Sequence, residues 1–290
     1  MSRIYCGRAF DRAQIEIIRT LIAEHPQLNR AQLSRVVCAA LHWQGMDGRS
    51  KEMSCRVALL RMHDDGLVAL PPPRNGNGNA RAYARRTAAA EPELFGMQAA
   101  VDTLADLRIE PVRSRRQSHL WNEYIDRYHY LRYQPLAGAQ LRYFALSKNR
   151  PLALLGFAAA AWKVQARDRF IGWTAAQRQA RLHLIVNNAR FLILPWVRSR
   201  NLASRLLGIA TRRLAEDWRQ RYGYRPALLE TFVESPRFKG TCYKAANWIC
   251  VGQTAGRGKR DIQHQRALAR KLVWIYPLAR DPRHILCAPE

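Results

Sequence analysis

Apolar positions run at a helical period through the first part of the chain and as continuous or alternating strand-like runs through the last. "RAQIEIIRTLIAEHP" sets Ile15, Ile18, Leu21 and Ile22 on one helical face and stops at Pro26. "NRAQLSRVVCAALHW" restarts behind Asn29, a good N-cap, with Leu33, Val36, Val37, Ala40 and Leu41 turned inward. In "KEMSCRVALLRMHDDGLVALPPPR" a third helix runs through Met53, Val57, Leu60 and Met62 and ends at Gly66. A short strand "LVAL" then leads into three prolines. Later, "SHLWNEYIDRYHYL" is helical, with Leu120, Tyr124, Ile125 and Tyr128 on one side. "AQLRYFALSK" and "RPLALLGFAAAAW" read as two strands around a turn near Asn149 and Arg150. "RFLILPWV" is a strand, "NLASRLLGIATRRLAEDWRQRYG" a long helix, "PALLETFV" the next strand, and "KLVWIYPL" closes the sheet.

This order predicts an N-terminal winged helix-turn-helix over residues 1–73 and a mixed α/β sheet domain over 113–290, α+β overall. The third helix is the expected reader, with Arg49, Lys51, Ser54, Arg56 and Arg61 as candidates to face DNA. A plain three-helix core with solvated basic residues is the alternative. Between the domains, "PPPRNGNGNARAYARRTAAAEPE" heads a basic linker over 74–112 whose Arg74, Arg81, Arg85 and Arg86 suit a phosphate backbone.

Charge decides the class of partner. The 290 residues carry 48 Lys+Arg against 22 Asp+Glu, a formal net charge of +26. Such an excess repels itself and finds relief on a polyanion, where released counterions drive binding. No run approaches ~18 apolar residues and the N-terminus lacks an apolar signal core, so nucleic acid is favoured over membrane. The six cysteines never fall at C-x-x-C spacing and the eight histidines form no H-x-x-x-H pair. The expectation is a cytoplasmic chain without a structural metal; a carboxylate-bound magnesium ion stays open.

"GQTAGRGK" invites a phosphate-loop reading, but five residues separate Gly252 from Gly258 where the motif needs four. Arg260 also stands in place of its Ser/Thr. What remains is a cationic loop with Arg257, Lys259 and Arg260 for backbone phosphate, and Lys239 upstream. "RFLILPWVRSRNLASRLL" ends a strand, turns through Arg198, Arg200 and Asn201 and opens a helix, an anion site by geometry. That turn resembles the pyrophosphate loop of the GNAT acyltransferase fold, with Asn201 where glycine is expected; coenzyme A is therefore disfavoured. "TCYKAANWICVG" resembles the same fold's C-terminal helix and strand, with Tyr243 at the tyrosine serving many of those enzymes as general acid. Glu230 on the preceding strand is the candidate base or metal ligand. His129 among Tyr128, Tyr130 and Tyr133 is a secondary candidate. So is Asn187 in "VNNARF", where Asn187, Asn188 and Arg190 suit a base edge or a phosphate. Trp173, in polar "RFIGWTAAQR", is the candidate platform for an unpaired base.

"GRSKEMSCRVALLRMHDDGLVALPPPR", "PLAGAQLRYFAL", "LGFAAAAWKVQARDRFIGW", "NNARFLILPWVRSRNLASRLL" and "YRPALLETFVESPRFKGTCYKAANWICVGQTAGRGKRD" together resemble the DruA family of the Druantia anti-phage systems, which also has transposon-associated relatives. The resemblance implies a bacterial DNA-associated protein of phage defence or a mobile element, with other proteins of such a system as partners. It implies no settled reaction. Three readings stand: a DNA-binding protein that processes strands with Tyr243 and Glu230, a non-catalytic DNA-binding module, and a coenzyme A-dependent acyltransferase.

Overall fold

The computed structural model describes residues 2–46, 48–74, 83, 85–92, 97–256 and 268–289. The chain divides into two compact units, Met1–Arg81 with Tyr222–Tyr224, and Ala82–Arg221 with Arg225–Glu290.

The first unit opens with an antiparallel hairpin, β1 (Arg3–Tyr5) and β2 (Arg8–Phe10), followed by α1 (Arg12–Glu24), α2 (Arg30–Ala40) and α3 (Glu52–Asp64). Asp11 and Asn29 each close a capping box, with Gln14 and Gln32 answering from the third helical position. Ile18, Val37 and Met62 are wholly buried, with Phe10, Cys38, Cys55, Ala58 and Leu59 around them. Two expectations are corrected here. Met53, Val57 and Leu60 are exposed, because α3 is apolar on more than one side and small Cys55 and Ala58 let its other face pack closely. "LVAL" is no strand. Its carbonyls instead meet the guanidinium of Arg19 at Leu67 and the ring of His63 at Val68, so the expected wing is not formed.

The second unit contains β3 (Met97–Gln98), β4 (Arg108–Pro111), α4 (Arg115–Tyr128), β5 (Leu141–Ser147), β6 (Arg150–Ala159), α5 (Gln165–Ile171), α6 (Ala175–Arg181), β7 (Ile185–Ile193), β8 (Val197–Arg198), α7 (Leu202–Tyr222), β9 (Leu228–Glu234), α8 (Thr241–Ala245), β10 (Ile249–Gln253), β11 (Lys271–Pro277) and α9 (Pro282–Leu286). Seven strands form one mixed sheet in the order β10-β11-β9-β7-β6-β5-β4, and β3 pairs separately with β8. Only β7 and β9 of the seven run parallel. The mixed α/β sheet expected from the sequence is present, but β11 lies inside it and β10 forms the edge. Strand β6 is buried from Leu152 to Ala158 because both its faces are covered, which is why it reads as an unbroken apolar run. Gly156 is required by close approach: a Cβ there would meet the Trp121 ring of α4 at 3.0 Å.

Part of the expected linker belongs to this unit. Thr87 donates its amide and hydroxyl to buried Glu123 of α4, and Tyr124 and Tyr128 donate to the carbonyls of Ala89 and Ala90. Arg86 pairs with Asp126 at 2.9 Å. These contacts make 85–91 a strap on α4, so the 74–112 boundary is too late.

On one face of the sheet lies an ion network whose Arg167 and Glu230 are fully buried and whose Asp168 is partly so. Arg167 of α5 is wholly buried; its Nη1 donates to Glu230 Oε2 at 2.8 Å and to the Ala161 carbonyl. Its Nε and Nη2 donate to Asp168 Oδ1. Glu230 Oε1 accepts the Ala161 amide at 2.9 Å. Removing one charge strands the other in the interior, a loss of about 3–5 kcal/mol. Glu230→Gln should therefore lower unfolding free energy by about that amount in urea titration. A change below ~1 kcal/mol would show that the network does not hold the sheet.

Candidate functional site

Strand parity governs the site. Successive side chains of a strand point to opposite faces, so Glu230 and Thr231 of β9 do not share one. In the parallel pairing Asn187 sits opposite Glu230, on the Arg167 side. Thr231 faces the other way, where its hydroxyl donates to the Asn188 carbonyl at 3.0 Å. Tyr243 of α8 lies on this second side. It is buried, donates its hydroxyl to Asn188 Oδ1 at 2.8 Å and sits against Trp248, Trp274 and Phe191. Burial pushes its phenol up from the ordinary value, away from proton-transfer duty near neutral pH. Gly240 makes this packing feasible, with φ 72° and a Cβ that would meet the Trp274 indole at 2.7 Å. The expected pair of Tyr243 beside Glu230 is thus corrected: the sheet separates them. Burial also pushes the Glu230 carboxyl up, against the pull of Arg167 and the Ala161 amide.

A second group of residues does come together. The register of β7 against β6 slips between Gly156 and Phe157, so that Asn188 faces Phe157 and Arg190 faces Gly156, leaving Ala189 as the extra residue of a bulge. Asn187 lies opposite Ala158, two residues from Gly156 on β6, so the bulge brings Asn187 and Arg190 onto the same face. Neither Asn187 Oδ1 nor Arg190 Nε, both buried, has a hydrogen-bond partner among the described residues. Arg190 Nη1 reaches only the neighbouring Ala189 carbonyl, and burial lowers its pKa. His129, immediately after α4, is buried and accepts the Leu131 amide on Nδ1 at 3.2 Å. Burial, then the charges of Arg190 and Arg237, push its pKa down to about 4. Its ring stacks on Tyr130, Arg237 covers Tyr130 at 4.6 Å, and half-exposed Phe238 leans on Tyr130 at 5.2 Å.

The other expected residues are dispersed. Trp173 is buried, donates to Asp168 Oδ1 and has Arg167 over its ring, so it offers no open face to a base. Trp162 is the exposed indole, half open under Arg178. Arg198, Arg200 and Lys239 are exposed. Asn201, also exposed, has φ 64°, the left-handed backbone that glycine usually supplies and asparagine tolerates. Arg49 and Lys51 are exposed in the first unit, while Arg56 is half-buried with Nη2 against Met53 Sδ. Arg257, Lys259 and Arg260 lie outside the described residues. Gly252 sits inside β10, and the rest of the rejected phosphate-loop stretch from Arg257 on lies outside the described residues. Among the described residues no group of three His, Cys, Asp or Glu could hold a metal ion, and no helix is long and apolar enough to cross a membrane.

Sequence reasoning missed Arg167, Asp168, Arg237 and Phe238. Adjacent opposite charges in "ARDRF" and the basic-aromatic-basic triplet "RFK" were the available signals.

Residues 63–267 match the protein family described as Druantia protein DruA. The chain belongs to the DruA family. No curated protein matches it. Among solved structures, a GNAT-family acetyltransferase from Streptococcus pneumoniae is 13% identical, with 60% of this chain and 100% of that one covered at a TM-score of 0.39. A Bacillus subtilis acetyltransferase in complex with CoA is 10% identical, with 60% and 100% covered at 0.34. A Drosophila melanogaster polyamine N-acetyltransferase is 12% identical, with 59% and 100% covered at 0.38. Likeness at this level carries no argument about chemistry. Membership of the DruA family supports a role in anti-phage defence.

Two outcomes follow from the geometry. Tyr243→Phe leaves Asn188 Oδ1 without its donor and should cost about 1–3 kcal/mol of stability, measured by denaturant titration. His129 binds a proton more weakly folded, at about 4, than unfolded, at about 6.5. The unfolded state therefore takes up the proton first as pH falls, and stability full above ~6.5 is lost toward ~4. At pH ~5 the His129 share of that loss is about 2 kcal/mol, read as the difference between wild type and His129→Gln in denaturant titrations at neutral and acid pH.

Proposed function

We propose that this chain is a DNA-binding protein of anti-phage defence whose α/β unit engages DNA phosphates around Arg190 and Arg237. The observation that carries this reading is Arg190 itself, a half-buried cation with no carboxylate partner among the described residues. Several other arginines of the same unit are neutralised: Arg127 by Glu91 and Glu123, Arg86 by Asp126, Arg213 by Asp217, and Arg219 and Arg225 by Glu216; Arg142, also half-buried without a carboxylate, is met instead by Asn122 and Ser118. Burying a cation without a counter-ion is costly unless an anion arrives from outside. Phosphate is the anion that a net charge of +26 recruits. His129, kept neutral, adds no competing charge beside the two arginines. Strand processing by Tyr243 and Glu230 acting together forms no part of this reading, since they lie on opposite faces.

The acyltransferase reading has one observation in its favour: Asn201 adopts the backbone of the glycine it replaces, before the 21-residue α7. Saturable coenzyme A binding by calorimetry, lost in Asn201→Pro, would promote it; no heat at millimolar ligand would sink it.

For the DNA reading, fluorescence anisotropy with a labelled oligonucleotide is the direct test. Affinity should fall steeply between about 50 and 200 mM salt, and Arg237→Gln should weaken binding across sequences while lowering the log–log slope by about 1. A salt-independent affinity would overturn the proposal.

A further inference from the structure

Asn187 Oδ1 is the one amide oxygen among the buried side-chain atoms that lack a partner among the described residues, and Arg190 Nε, one of five such arginine nitrogens, shares its face. On one face of β7, two alternate positions apart across the bulge, lie a buried acceptor, Asn187 Oδ1, and a buried donor, Arg190 Nε, neither with a partner among the described residues. Buried polar atoms are nearly always satisfied, so each orphan calls for an explanation. A phosphate would answer only half of it. Its oxygens accept from Arg190, but they offer nothing to a carbonyl oxygen. A ligand edge that both donates and accepts satisfies both, and the edge of a nucleobase is such an edge.

The surroundings extend this. Arg237, Phe238 and Lys239 form an exposed basic-aromatic-basic tip behind β9. Phe238 is 43% exposed and leans on Tyr130, on which the charges of Arg190 and Arg237 both act. Tyr130 is already engaged by His129 at 4.9 Å and by Arg237 at 4.6 Å; Phe238 has Arg237 at 5.5 Å but keeps enough exposed ring for stacking. A base whose edge reaches these two buried atoms beneath α4 has to leave its pair and its stack.

Resting on the DNA-binding reading above, we propose that this face takes an unpaired nucleotide. Its base stacks on Phe238 with its polar edge toward Asn187 and Arg190 Nε, and its phosphate lies against the guanidinium groups of Arg190 and Arg237. Arg190 swings off the Ala189 carbonyl to admit it. The class of substrate is thus single-stranded nucleic acid, or a nucleotide turned out of a duplex, rather than intact duplex.

The test compares a single-stranded oligonucleotide with an abasic strand of equal length and charge, by anisotropy at one salt concentration. The intact strand should bind about tenfold tighter or more, as base–aromatic stacking commonly provides. Phe238→Ala, a change at an exposed position, should bring that ratio close to one. Arg190→Lys, which keeps the charge and loses Nε–H, should also reduce it. Equal binding of both strands by wild type, or an unchanged ratio in Phe238→Ala, overturns the proposal while leaving phosphate binding intact. Failure of every nucleic acid to bind, duplex included, overturns both readings together.

Discussion

The buried guanidinium of Arg167 is the interaction on which the α/β unit depends. It joins α5, the segment just after β6 through Ala161, and β9 through Glu230, beside an apolar cluster in which Ile171 of α5 and Leu228 of β9 also pack together. A charge in the interior demands that each of its donors be met, and here its bonds to Asp168, Glu230 and the Ala161 carbonyl engage Nε, Nη1 and Nη2 alike. Because Glu230 must face Arg167, Thr231 must face away, and everything on the second side follows from that parity. The Thr231 hydroxyl takes the Asn188 carbonyl where the β7–β9 ladder stops, and Tyr243 takes the Asn188 side chain. A glutamate read as a catalytic base is therefore the anchor that sets the register.

The bulge at Ala189 works against that strict alternation. Without it, Arg190 would share the face of Asn188 and Tyr243, in an apolar aromatic setting among Trp248 and Trp274. With it, Arg190 crosses to the face of Asn187, where a Cβ at Gly156 would come within 3.0 Å of the Trp121 ring and 3.2 Å of the Arg190 Cβ. One inserted residue and one missing side chain thus place a cation beneath α4. Bulges that re-aim a side chain in this way occur next to functional sites more often than elsewhere.

Much of the fold was legible because local signals agree with it. The capping boxes at Asp11 and Asn29 mark true helix starts, and the apolar runs of β5, β6 and β9 mark true strands. What escaped has a common physical cause: it depends on which side of an element faces what. In α3, Met53 and Val57 are as apolar as Leu59 and Met62, and only the packing against Cys38 and its neighbours selects the buried side. Tyr243 and Glu230 lie close in sequence, but register and parity put the sheet between them. "LVAL" has strand composition without a partner strand, so side chains of Arg19 and His63 satisfy its carbonyls instead. Trp173 was read as a stacking platform from its polar neighbours, yet Arg167 and Asp168, just upstream of that stretch, engage it and it is buried.

The distribution of carboxylates sharpens what the total charge leaves general. A net charge of +26 says only that the chain favours a polyanion. With 22 acidic residues for 48 basic ones, the placing of the acids is the informative choice. They are spent on structure: Glu123 and Asp126 hold the strap of 85–91, Glu216 and Asp217 brace α7, and Glu230 and Asp168 enclose Arg167. None of these accompanies Arg190. An arginine drawn below the surface by a bulge, beside a histidine held neutral, is left without a carboxylate among the described residues, and Asn187 Oδ1 is an unpartnered acceptor on the same face.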